Sequence, residues 1–98
     1  MNIQAMMKQA QKLQKEMMEE KAKIDEMSFE ASSSFVTVKG NGKKEIIEII
    51  IDQKEFNEDD IEILQDVLVV AINNLMEIID KETDKKMSKY TQGMPGLF

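Results

Sequence analysis

Two long stretches of helical periodicity flank one short β-hairpin, and that arrangement limits the folds open to this chain. Apolar residues recur in steps of three and four from about Asn2 to Met27 and again from about Asn57 to Tyr90. Between them lie β-branched and aromatic residues with Gly40-Asn41-Gly42 as the turn. One helix runs into the hairpin and one runs out of it, so both chain ends are expected at the same far tip. At ~1.5 Å per residue the helices are roughly 40 and 50 Å long, against a radius of gyration near ~13 Å for a compact chain of this size. They must project beyond the globule or pack on a second copy.

The first helix, about residues 2–27, carries a heptad seam. Ile3, Met6, Ala10, Leu13, Met17, Ile24 and Met27 alternate by three and four, with Glu20 the one break. Lys8, Lys12 and Lys15 lie on the opposite face. Met7 and Met18 widen the seam, and methionine suits a packing surface with irregular gaps.

The sheet region, about 28–52, reads as three strands. Phe35-Val36-Thr37-Val38 and Ile46 to Ile51 are the clearest, with Phe29-Glu30-Ala31 as the third. Ser32-Ser33-Ser34 is expected to break or bulge between the first two. Ile47, Ile49 and Ile51 cover one face of the last strand, while Ile46 and Ile50 make the other apolar too. Such a sheet needs cover on both sides, one from its own helices and one from a second subunit.

The second helix, about 57–90, starts with Asn57 as N-cap and Glu58, Asp59 and Asp60 in the first turn, where acids favour the helix dipole. That accounts for this acidic cluster better than a metal site does. Phe56 and Ile61 stand where a hydrophobic staple would. The stripe from Ile61 to Ile79 is broad enough to predict burial on more than one side. Ile46, Ile49, Ile50, Val67 and Ala71 are the expected homodimer interface. Gly93, Pro95 and Gly96 predict a flexible tail over residues 93–98, which leaves a single domain over 1–92.

Charge is segregated. Residues 1–15 carry three lysines and no acid, and residues 85–98 carry three lysines and no acidic side chain. Residues 45–84 carry thirteen acids and two lysines, and the net charge is −6. Lys8, Lys12, Lys15, Lys85, Lys86 and Lys89 therefore form the candidate DNA surface, with Lys39, Lys43 and Lys44 as a competing patch. All thirteen basic residues are lysines, which bind phosphate as point charges and lack the fork that reads guanine edges. Aromatic residues for base stacking are scarce. Duplex DNA held through its backbone fits this composition better than single-stranded RNA.

Other chemistry is poorly served. The chain has no Cys and no His, which removes thiol chemistry, disulfides and the commonest metal ligand. It shows no phosphate-loop or dinucleotide fingerprint. No catalytic residue, metal, cofactor or small-molecule substrate is expected. No apolar stretch approaches the ~20 residues of a membrane span, and Met1 to Lys8 lacks the features of a signal peptide. The chain reads as soluble, cytoplasmic and non-enzymatic.

Several short stretches, in order and spacing, are similar to the YbaB/EbfC family of bacterial nucleoid-associated proteins. They are Met6-Met7-Lys8-Gln9-Ala10-Gln11-Lys12-Leu13-Gln14, Phe35 to Val38 with Asn41-Gly42-Lys43, and Ile49-Ile50-Ile51-Asp52. Asp66 to Asn74, Lys86-Met87 and Thr91 to Phe98 complete them. The resemblance implies an α+β subunit of order α-β-β-β-α, an intertwined homodimer with projecting helices, and a place in the nucleoid. It also implies DNA binding that can alter DNA conformation, with roles in nucleoid organisation or gene regulation. Two departures stand out: the family usually has glycines near Ser32-Ser33-Ser34, and some members carry arginines. The alternative to a DNA-binding protein is a non-enzymatic module whose projecting helices hold another protein.

Overall fold

The computed structural model describes residues 2–91. Helix α1 spans Ile3–Asp25, strands β1, β2 and β3 span Ser28–Ser33, Val36–Asn41 and Ile46–Ile51, and helix α2 spans Glu58–Thr91. The order is the expected α-β-β-β-α. The molecule is long and thin, 72 × 21 × 14 Å with a radius of gyration of 19.5 Å. That is well above the ~13 Å of a compact chain of this length, so the helices do project.

Both helices start on side-chain caps. The Asn2 side chain accepts a hydrogen bond from the Ala5 amide at 3.2 Å. At α2 the Asp60 amide donates to the Asn57 side chain at 3.1 Å, and the Asn57 amide donates back to the Asp60 carboxylate at 3.0 Å. This reciprocal pair occupies two backbone donors that the helix cannot satisfy itself. Phe56 meets Phe35 edge to face, with ring centres 6.0 Å apart.

The strands form an antiparallel meander in the order β1-β2-β3. Ala31, Val38 and Ile49 share one row, and Ser33, Val36 and Ile51 share another on the same face. α2 lies across this face over β1 and β2. Ala31, Val36 and Val38 are buried there against Ala71, Leu75 and Ile79. β3 lies beyond the helix's cover, and Ile46, Ile49, Ile50 and Ile51 each keep about two-fifths of their surface exposed.

Three details differ from the sequence expectation. The outer sheet face is mostly polar. Glu30, Lys39 and Glu48 form one row, and Ser32 and Thr37, whose hydroxyls hydrogen-bond at 2.9 Å, form the next with Ile50. It needs no second apolar layer. Ser32 and Ser33 belong to β1, and the reversal falls at Ser34-Phe35, with Ser34 in the left-handed region at φ 52°. The irregularity sits in β3 instead. Lys39 pairs with Glu48 while Gly40 pairs with Ile46, so Ile47 is an extra, unpaired residue and the face shifts there.

Gly40 lies inside β2, and the turn follows it. A Cβ on Gly40 would come 2.7 Å from the Glu45 carbonyl oxygen, so the backbone leading into β3 leaves no room for a larger residue, and the Leu75 side chain of α2 is close at 3.1 Å. Asn41 shapes the turn. Its side-chain oxygen accepts from the amides of Lys43 and Glu45, and its amide group donates to the Glu45 carboxylate at 2.8 Å.

Candidate nucleic-acid interface

The β2–β3 turn joins the two helices. Gly42 packs on the last turn of α1, beside the buried Ile24. Lys44, from the same turn, pairs with Asp80 in α2 at 2.5 Å. From this junction the helices run side by side, antiparallel in chain direction. Beyond the sheet α2 still buries Met87 completely, and it half-buries Glu82, Thr83, Lys86 and Tyr90. α1 answers with Glu16, Met17, Glu20 and Lys21 partly covered. Glu20, which breaks the apolar pattern, thus occupies the packed face with its neighbours.

Helical rise fixes the level of each lysine. Lys15 stands about 13 Å along α1 from Ile24, and Lys89 about 13 Å along α2 from Asp80, so the two are level. Lys12 and Lys8 lie further out on α1. At about 24 Å from Ile24, Lys8 is beyond the level of Thr91, the last described residue of α2. By the same rise Lys85 and Lys86 lie about 8 and 9 Å from Asp80, nearer the sheet than Lys15 and Lys89, while Lys8 and Lys12 stand on an outward extension of α1. The tail over residues 93–98 lies outside the described residues.

The candidate lysines differ in their surroundings. Lys8, Lys12, Lys15 and Lys85 are exposed, and none makes an ion pair among the described residues. Lys89 is exposed with its ammonium 4.9 Å from the centre of the Tyr90 ring. Lys86 is half-buried and 3.5 Å from Glu82. In the competing patch, Lys39 sits 3.7 Å from Glu48 and Lys44 is held by Asp80. Only Lys43 of that patch has no acidic partner among the described residues. An anion thus meets the least compensated positive charge on the arm formed by α1 and the end of α2. This is the end to which charge segregation in the sequence points. The pairing of Lys39 and Lys44 left no sequence signal, because Lys44 and Asp80 meet only through the fold.

The expected interface residues also separate. Ile46, Ile49 and Ile50 are exposed on β3, and Val67 is partly buried. Ala71 has no exposed surface in the single chain, because it packs into the chain's own core under α2. It has nothing left to offer a partner. Among the described residues, no group of three or more potential metal-ligating side chains converges, and no helix is long and apolar enough to cross a membrane.

The fold thus sets a projecting helical arm, with lysines that have no acidic partner among the described residues, on an acidic body. Residues 1–94 match the YbaB/EbfC DNA-binding family, and the chain belongs to it. A nucleoid-associated protein of Clostridium novyi is 45% identical over the whole of this chain and 90% of its own length. One from Oceanobacillus iheyensis is 45% identical over 99% of this chain and 97% of its own length. One from Enterococcus faecalis is 39% identical over 98% and 94%.

Proposed function

We propose that this protein acts in the nucleoid as a homodimer that holds duplex DNA by its phosphates through the lysines of its arms. The observation that carries the reading is the contrast in lysine pairing. Among the described residues Lys8, Lys12, Lys15 and Lys85 gather on the arm without acidic partners, whereas Lys39, Lys44, Lys81 and Lys86 are matched by carboxylates, and Lys23, Lys43 and Lys54 nearer the sheet also lack one. Free ammonium groups release counterions from DNA at little cost, and paired ones must first give up a partner. With no arginine in the chain, and with Tyr90, half-buried, the one aromatic residue in the arm among the described residues, binding is sequence-tolerant. Family membership and the names of the relatives support the nucleoid as the site of action.

The dimer reading rests on β3. Its isoleucines lie beside the cover of α2, and Ile63 and Val70 on α2 are also about half exposed. A second copy laid on these residues buries them at ~25 cal/mol per Å² before entropy costs. Sedimentation of the protein with and without a labelled duplex, at low and moderate salt, tests both parts. A dimer that binds at low salt and releases steeply as salt rises supports the reading. A stable folded monomer at micromolar concentration rejects the dimer, and no duplex binding at low salt rejects the DNA surface.

A further inference from the structure

The outer half of α1 has a second face, on the side of the helix away from its lysines. Ile3, Met6, Ala10 and Leu13 continue the seam that α2 covers around Met17 and Ile24. Ile3 is 71% exposed, Met6 54% and Leu13 45%. The Asn2 cap begins the helix ahead of this stretch, so the seam is a formed surface. The positions flanking it are Met7, Gln9 and Gln14, none of them charged. In paired helices those positions carry the charges that choose a partner. Here nothing rejects an identical helix, and nothing attracts a helix of fixed charge.

Two features keep such pairing weak in free solution. The open seam is only about two heptads long, short of the three or four that sustain a coiled coil. Each arm also brings Lys8, Lys12 and Lys15 without an acid in residues 2–15, so two arms repel. Duplex DNA relieves both. Phosphates neutralise the lysines from the far side of the helix, and the shared strand raises the local concentration of arms. We propose that the open seam of α1 pairs with the same seam of a second copy, and that duplex DNA drives this pairing. The inference rests on the proposed DNA contact of the arm lysines. It makes DNA binding cooperative and lets the arms join copies along or between duplexes.

The chain contains no cysteine, so a single introduced thiol reports on the seam. Ala10→Cys lies on it, and Ala5→Cys lies on the lysine side. Under mild oxidation with a long duplex, Ala10→Cys should form disulfide-linked pairs at least about tenfold faster than without DNA, and faster than Ala5→Cys by a similar factor. A second variant, Met6→Gln with Leu13→Gln, keeps every lysine. It should bind a short duplex as tightly as the unmodified protein but lose cooperative filling of a long one. Equal cross-linking of both cysteine variants, no dependence on DNA, or unchanged cooperativity in the double variant overturns the inference and leaves the seam to a different partner. Failure of the unmodified protein to bind even the short duplex overturns the lysine contact itself, and this coupling with it.

Discussion

Gly42 and Ile24 meet backbone to backbone: a Cβ on Gly42 would lie 1.9 Å from the Ile24 carbonyl oxygen and 2.5 Å from its carbonyl carbon. The hairpin turn and the last turn of α1 are thus in direct contact, and this contact sets where the arm leaves the body. Gly42→Ala has no flexible side chain to push aside. It should cost about 2 kcal/mol, in the range of an overpacked core, and lower the melting temperature by roughly 10 °C. An unchanged melting curve would mean that α1 does not rest on the turn.

Ser34 suggests the opposite experiment. A non-glycine residue at φ 52° carries a steric cost of about 1–2 kcal/mol, and glycine removes it while losing about 0.5–1 kcal/mol more backbone entropy. Ser34→Gly should therefore raise stability by roughly 0.5–1 kcal/mol, a gain of a few degrees in melting temperature. A loss of stability would show that the Ser34 side chain contributes more than its strained backbone costs.

Met87 isolates the arm from the sheet. It is fully buried beyond the junction at Asp80, where α1 is the element beside it. Met87→Ala should cost about 2–5 kcal/mol locally, as for other buried methionines. Amide exchange should quicken along the outer part of α2 and the facing turns of α1, while β2 keeps its protection. Uniformly faster exchange would show that arm and sheet unfold as one unit.

Ile49→Asp tests the second subunit. Within one chain Ile49 is 42% exposed, so a carboxylate there reaches water at small cost. Covered by a partner copy, the same charge costs several kcal/mol or more. The variant should sediment as a monomer under conditions where the unmodified protein is a dimer. Unchanged mass and melting temperature would place the dimer contact elsewhere.

The order of elements was legible because periodicity, turn residues and caps agree along the chain. The hairpin glycines, the Asn57 cap and the change from strand to helix after Asp52 each have a local cause. Register inside β3 was not legible. Ile46 to Ile51 is isoleucine at every position but Glu48, so no alternation marks the bulge at Ile47 or separates the two faces. The broad stripe of α2 likewise names Val67 and Ala71 alike, and only packing shows that Ala71 is spent on the chain's own sheet. Gly42 reads as a turn residue whether it faces water or the end of α1. For the candidate site, charge segregation pointed to the lysines of the arm. The pairing of Lys86 with Glu82 follows the i,i+4 spacing of a helix, but that of Lys44 with Asp80 depended on a contact distant in sequence.

The most direct test of the arm lysines is the salt dependence of duplex binding, measured on the unmodified protein and on Lys8→Gln/Lys12→Gln/Lys15→Gln. If about six phosphates are neutralised, the slope of log K against log salt should be near ~−5, at about 0.9 per phosphate. The triple variant should bind every duplex more weakly by a similar factor, with a flatter slope and an unchanged melting temperature. Should it keep the affinity and slope of the unmodified protein while Lys39→Gln/Lys43→Gln/Lys44→Gln loses both, DNA is held at the hairpin end and the arm assignment is wrong.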